Sequence, residues 1–507
     1  MTFLGIRTAS GGTMALLLAG AAQADVTAQD VWADWQDYMT AVGYEMTATE
    51  TQSGDTLTVE AIEMTAPDLG DGSSMVMRLG QLEFRENGDG SVNVIYPDTT
   101  ALEIELRDPS ASDVDLDMEV RTTGMDMVVT GVPTDMTNTY AAERIEMVLT
   151  GLTVDGEEIS AEDAAGRLVL DGLSGTTQST VGGKRVYDQR ALADTVSYDV
   201  RFKDPDGTGD LDLSSSIDGL NFAGSSALPL AVVRATDMSA LIAAGMTANG
   251  TFGYTGGSSE ISVVENGAPA FTAQTSSTGG TLNVTMGADG LEYSGDQNDL
   301  KLAMSGSQLP LPLELDMETA RFNLAMPLQT SEEVQDFALG FAFNEFSISE
   351  ALWSIFDPGQ QLPRDPATVV LDLAGKARLL FDFLDPSAAD AVTGPDFVMG
   401  EVDSVDINRL QVSVAGAELT GEGAFTLDNS AEFGPPKAVG AADLKLVGGN
   451  MLIDTLVNIG LLPEDQAMGA RMMMGLLAVP GDAPDTLTSK IEINKEGHIM
   501  ANGQRIQ

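Results

Sequence analysis

Residues 113–120 read DVDLDMEV. Asp113, Asp115, Asp117 and Glu119 alternate with Val114, Leu116, Met118 and Val120. In a β-strand successive side chains point to opposite faces, so this stretch sets four carboxylates on one side and four apolar groups on the other. Carboxylates at i, i+2 and i+4 of a strand lie in a row about 6–7 Å apart and point outward in parallel. A calcium ion needs six to eight oxygens converging on one point, so this row is read as a wetted outer face. The apolar side is then the informative one.

The same period of two runs outward from this strand. Leu57 and Val59 alternate with Thr58 and Glu60, and Leu102, Ile104 and Leu106 with Glu103 and Glu105. MDMVV, IEMVL, GRLVLDG, VSYDVRF and GDLDLSS follow, set off by Gly and Asp that read as turns. ENGDG (86–90) has the composition of a tight turn. No helical pattern of comparable length interrupts them, so the strands are expected to pair antiparallel. Later strands are expected at TLNVTM (281–286), at LPLELDMETARFNLAM (311–326), and around Val369–Leu373, Leu379–Phe383, Leu410–Val414 and Leu444–Val447.

Helices are few. Thr27 is placed to cap a helix over Ala28–Val42 ended by Gly43, with Asp30 supporting its start. Val31, Trp35, Tyr38, Met39 and Val42 form its apolar stripe, and such a stripe most often docks a helix on a sheet. A short helix is expected within 227–245, capped by Thr236 or Asp237, and another near 349–356. In the region 451–477, Asn450 caps one helix to Ile459 and Pro463 opens a second to Leu477, before a closing hairpin. The fold class is therefore mainly β: long antiparallel sheets, curved or sandwich-like, with an N-terminal helix and a C-terminal helical hairpin. The expected divisions are a signal peptide at 1–24, a β region at 25–226 and a second β-rich region at 227–507.

Composition bounds the function. Arg7, the short apolar run Met14–Ala22 and Ala22-Gln23-Ala24 read as a signal peptide cleaved after Ala24, which places the protein in the periplasm. The alternative, a buried N-terminal helix, fits the flanks poorly. No run of about 18 apolar residues follows, so no transmembrane segment is expected. There is no cysteine, hence no disulfide and no lipid-anchoring thiol. The formal charge of −52 repels nucleic acid and anionic membranes and reads as a solvated acidic surface.

Catalytic chemistry has little to work with. His498 is the one histidine, no nucleophile elbow or phosphate-binding glycine motif occurs, and zinc would lack His and Cys ligands. Paired carboxylates are available, but aromatics make up only 6 % of the chain, which leaves few platforms for sugars. The protein is read as a non-enzyme without a cofactor. DPDGTGDLD (204–212) offers Asp204, Asp206 and Asp210 as a calcium candidate, yet Ser215 stands where a calcium loop needs glutamate, so a polar hairpin turn is preferred and no metal is assigned. The other candidate surface is apolar: Leu452, Leu456 and Ile459 on one helix, Met468, Met472 and Leu476 on the next. Methionine suits adaptable surfaces that accept lipids or varied partners, but core packing beneath the hairpin is the preferred reading of these positions.

LWSIFDPGQQLPRDPATVVLDLAG (352–375) and NMLIDTLVNIGLLPEDQAMGARMMMGLLAVPG (450–481), with GHIMANGQRI after them, resemble an uncharacterised family of exported alphaproteobacterial proteins, domain of unknown function 2125. LPRDPA, Leu362–Ala367, is its most distinctive piece. The resemblance brings no activity, catalytic residue or cofactor. In general style it is similar to β-rich envelope proteins of the AsmA kind, whose curved sheets shelter acyl chains, an analogy of architecture alone. The leading expectation is an envelope protein that binds lipid or another hydrophobic molecule, or an envelope partner, on the apolar inner face. A structural or protein-interaction module with a packed core is the rival, and a calcium-dependent surface protein a further one.

Overall fold

A computed structural model describes residues 25–66, 72–204, 208–230, 238–382, 384, 399–430 and 436–507. The expected signal peptide lies outside the described residues, as do Thr236, Asp237 and Phe383.

The N-terminal helix, α1 (Ala28–Ala41), starts in a reciprocal cap: Thr27 accepts from the Asp30 backbone N–H and the Asp30 carboxylate accepts from that of Thr27. Nine strands follow: β1 (Glu45–Ser53), β2 (Thr56–Thr65), β3 (Ser74–Leu79), β4 (Leu82–Glu86), β5 (Val92–Ile95), β6 (Thr99–Arg107), β7 (Val114–Thr123), β8 (Asp126–Val132) and β9 (Asp135–Val154). Then come β10 (Glu157–Ile159), β11 (Ala164–Val181), β12 (Lys184–Lys203), β13 (Gly209–Pro229) and the short α2 (Met238–Ala243). The next run is β14 (Thr247–Tyr254), β15 (Gly256–Glu265), β16 (Ala268–Ser277), β17 (Gly280–Gly287), β18 (Gly290–Gly306), β19 (Leu313–Met326) and β20 (Gln335–Ile348). After α3 (Glu350–Phe356) the sheet continues with β21 (Ala367–Leu379), β22 (Gly400–Val414), β23 (Ala417–Asp428) and β24 (Lys437–Val447). The hairpin α4 (Gly449–Asn458) and α5 (Glu464–Leu477) precedes β25 (Val479–Pro480), β26 (Thr486–Ile493), β27 (Ile499–Ala501) and β28 (Gln504–Arg505).

All these strands belong to one antiparallel sheet, not to two packed as a sandwich. Each row of the sheet is one long strand or two short ones in line. Thus β2 carries β3 and β4 end to end, β9 carries β7 and β8, and β13 carries β15 and β14. From β1 to β26 the pairings make nineteen rows, and eighteen spacings of about 4.8 Å give a path of roughly 85 Å along the sheet. β13 runs through residue 226, where the two β regions were divided, and pairs along its length with β12.

The Gly and Asp sites that read as turns do not all mark hairpins. Strands of 18, 20 and 21 residues cross the sheet, and several Gly/Asp sites lie in their middle. There the pairing skips one residue on each strand, Gly172 opposite Glu143, Asp194 opposite Gly219, Asp299 opposite Glu318 and Glu318 opposite Glu345, and two on each between β11 and β12, Gly172-Leu173 opposite Ala193-Asp194. Left-handed backbone sits along this line at Ala61, Gly124, Gly172, Gly219, Gly279, Asp299 and Glu345, with φ between 48° and 127°. Such residues are how a sheet is bent at a set place. The line is a crease that folds one sheet into two walls.

The crease also explains an irregular apolar spacing. Inner residues step by two along each wall but by three across the crease: Val59 to Ile62, Ile217 to Leu220, Ala193 to Val196, Phe343 to Phe346. A strict period of two would send the two walls' apolar sets to opposite faces. On β2 the residue between is left-handed Ala61, and Val59 and Ile62 are both buried in one core cluster. One apolar face therefore continues through the bend.

α1 packs on that face at one end of the sheet. Val31 and Trp32 bury against Leu57, Val59, Leu82, Phe84 and Val129, while Trp35 of the expected stripe meets the Phe84 ring edge-on at 5.4 Å. At the far end the cap of α4 differs from expectation. Asn450 is inside the helix, after left-handed Gly448, and the cap comes from Asp485, which accepts from the backbone N–H of Asn450 (3.2 Å) and Met451 (3.0 Å). Burial raises the Asp485 pKa, but these bonds outweigh it and hold the carboxyl below its ordinary value. Asp485→Ala is expected to cost about 1 kcal/mol, read as a lower urea midpoint. Because the folded pKa lies below the unfolded one, this stabilisation is present above pH about 4 and is lost as pH falls through the folded value. Asp485→Asn should flatten that part of the acid-unfolding curve.

Candidate functional site

The two faces of the sheet differ in chemistry. On the outer face carboxylates of β7 and β11 are threaded with arginines of the same and neighbouring strands. Arg107 reaches Asp115 at 2.6 Å, Arg121 pairs with Glu119, and Arg144 grips Asp171 with two bonds of 2.6 and 2.9 Å. Exposed pairs of this kind contribute little stability each. The acidic row is thus an outer surface, and Val114, Leu116, Met118 and Val120 face inward beside Leu106, Ile104, Leu102 and Thr100 of β6.

The inner face carries cross-strand rows of apolar side chains. In one wall Ala191, Phe222, Phe252, Leu282, Gly295, Phe322, Phe341, Leu371 and Leu410 stand directly opposite one another on successive strands. In the other, Val200, Leu213, Ile261, Ala273, Met304 and Leu313 do the same. Rings lie close: Phe222 to Phe252 at 4.6 Å and Tyr293 to Phe322 at 5.0 Å. Several lie over a glycine of the next strand, Phe322 over Gly295 and Phe337 over Gly375, so a Cβ there would meet the ring at 2.7 Å. The rings thereby pave a flat floor.

That floor is open. Val200, Phe202, Leu211, Ile261, Phe252, Tyr293, Phe322, Leu339 and Phe343 all face inward and are 36–46 % exposed. Contiguous exposed apolar area on this scale marks an interaction or ligand surface in a water-soluble setting. Two cavities are lined from both walls, which places both on one concave side. One, about 240 Å³, sits at the crease between Ile217 and Leu300 of one wall and Tyr254 and Gln297 of the other. The second, about 350 Å³, lies beside α1. A larger hollow of about 750 Å³ is on the outer face, where Asp199, Glu260, Glu314 and Asp316 surround Lys301 among serines.

The candidates read from sequence fall as follows. Met468, Met472 and Leu476 lie on α5 and are 72, 73 and 50 % exposed, so they fill no core beneath the hairpin. Leu452 and Leu456 on α4 and Ile459 at its C-cap are half-buried, and the first residue of the helix abuts the inner-face side chain of Leu446. Of the calcium candidates, Asp206 lies outside the described residues. Asp204 accepts from the Thr208 hydroxyl, and Asp210 pairs with Lys203 in the β12–β13 ladder. No group of three metal-ligating side chains occurs among the described residues. LPRDPA serves a local lock: buried Asp357 accepts from the backbone N–H of Gln361 and Leu362, and Arg364 stacks on Trp353 at 4.3 Å. The aromatic floor was missed in the sequence, although LNFAG, TFGYTG, LEYSG, RFNLA and FALGFAF carry its rings at period two.

These features define a class, an antiparallel sheet protein creased into an open apolar trough with a helix docked at each end and an acidic outer skin. No helix among the described residues is long and apolar enough to cross a membrane. The chain belongs to the family described as an uncharacterized protein conserved in bacteria (DUF2125), whose pattern matches residues 199–499. That match runs from the last residues of β12 to the first residue of β27 and excludes α1. No curated protein matches the chain.

Proposed function

We propose that this is an exported, non-catalytic protein of the bacterial envelope that shelters the acyl chains of lipid in its trough. The observation that carries the reading is the row of inward-facing, exposed rings and aliphatics from β12 to β20. Burying such a surface against acyl chains releases about 25 cal/mol per Å² of apolar area. An enclosed interlocking core, as a purely structural module would have, is concentrated instead under α1. The open ends of the rows suit a ligand of variable length better than one of fixed shape.

Native mass spectrometry of the mature protein, purified without detergent, followed by organic extraction, tests this. Co-purifying phospholipid or fatty acid is expected. A Leu315→Asp, Phe322→Asp double variant places charge in both walls and should reduce the bound fraction at least about tenfold, since a carboxylate is costly to cover with hydrocarbon. A bare mass in every preparation, with no uptake of a fluorescent fatty acid, would favour a protein-interaction module.

A further inference from the structure

The 350 Å³ cavity beside α1 has a chemistry of its own. Its walls are apolar, with Trp35 from the helix, Met46, Met64 and Leu79 from one wall of the trough and Met127 from the other. Polar groups break them at one side: Asp34 from the helix, Asn138 on β9, Thr177 on β11, and Tyr187 and Gln189 on β12. Asn138 is 7 % exposed; its Nδ2 donates to the Thr177 carbonyl at 3.4 Å, and its Oδ1 accepts no hydrogen bond among the described residues. Tyr187 is 5 % exposed, and its hydroxyl lies beside Arg185 and Ser179. Buried acceptors nearly always have a donor, so one that no protein group satisfies is open to a donor from water or from a ligand in the cavity. Cavities of this size, mostly apolar with a few polar points, take small ligands.

We infer that this cavity is a binding site for an uncharged amphiphile, whose hydroxyl-bearing head donates to Asn138 Oδ1 and meets the Tyr187 hydroxyl while its chain runs along Trp35, Met46 and Met64. The apolar walls demand the hydrocarbon. The unpaired amide oxygen demands a donor rather than a carboxylate, which has none to give. An ammonium head could donate, but Arg185 already faces Asp34 and Asp37 at this seam and neutralises the acid that would draw it in. The site is separate from lipid carriage along the trough and stands whether or not that occurs.

The full mature chain, stripped of lipid, is titrated below micelle formation with glycerol monolaurate, methyl laurate and dodecylamine, followed by calorimetry and tryptophan emission. Glycerol monolaurate should bind about tenfold or more tighter than methyl laurate, the scale of one buried hydrogen bond left unmade. Asn138→Leu should bring the two ligands within about twofold of each other. Tyr187→Phe, which keeps the ring, should narrow the gap if the leucine variant does not fold. Equal affinities in the unmodified chain, a preference that survives both substitutions, or tighter binding of dodecylamine would overturn the inference. A chain that co-purifies with no lipid yet prefers glycerol monolaurate overturns only the trough reading; lipid without that preference overturns only this one.

Discussion

Arg185→Leu is expected to destabilise the protein by about 3–5 kcal/mol, the cost of leaving a buried charge without its partner. Arg185 reaches from β12 to α1, where it pairs with Asp34 and, at 2.7 Å, with Asp37. Both Arg185 and Asp34 are under a tenth exposed. Burial pushes the Asp34 carboxyl above its ordinary pKa even with the arginine beside it. A raised folded pKa means that the native state holds its proton to higher pH than the unfolded chain does. Its contribution is therefore most favourable below the unfolded pKa and is lost as pH rises through the folded one. Without Arg185 the folded pKa rises further, so the penalty should be large at pH 8 and shrink towards pH 4. Urea melts at the two pH values check this. Adding Asp34→Asn to Arg185→Leu should recover much of the loss at pH 8, because it removes the stranded charge. An equal loss at both pH values would mean that the arginine acts by packing alone.

Gly279→Val is expected to be comparably damaging, at about 3 kcal/mol, whereas Gly219→Ala should cost about 1–2 kcal/mol. Both positions lie on the crease and both have positive φ, 127° and 59° respectively. Their surroundings differ. A Cβ on Gly279 would stand 2.7 Å from the backbone carbonyl oxygen of Tyr254, which cannot move without breaking the ladder. One on Gly219 would meet the Thr255 side chain, which can rotate away. Denaturant unfolding of the two variants gives the ranking. If Gly279→Val proves as mild as Gly219→Ala, the crease is softer than the continuous line of skipped pairs implies.

The walls of the fold were legible in the sequence, and the bend between them was not. DVDLDMEV announces its two faces because each side chain is assigned by parity alone, and α1 is announced by Thr27 and Asp30. Asp171-Gly172 misleads because the dipeptide chemistry of a hairpin turn and of a mid-strand crease is the same: both need positive φ. The distinguishing signal is the apolar step of three, as from Ile217 to Leu220, which a hairpin does not need. The exposed methionines of α5 show the opposite failure. Spacing identifies a stripe but not what, if anything, lies against it, so Met468 and Met472 read as core beneath the hairpin although they are exposed. Asn138 was invisible for a different reason. Its significance depends on a strand partner 39 residues away and on a helix that leaves its oxygen uncovered.

The arginine-laced acidic skin has a colloidal consequence. A molecule with a bare apolar trough would stack trough to trough with its own copies if nothing held them apart, and a formal charge of −52 supplies that repulsion. The barrier is ionic and its reach is set by the medium: about 8 Å at physiological ionic strength and about 3 Å in molar salt. Salt therefore acts as the dial on self-association. In dilute buffer the protein should stay dispersed with its trough free for ligand, while in concentrated salt the hydrophobic faces approach one another and an unloaded trough becomes the surface on which the molecules stick.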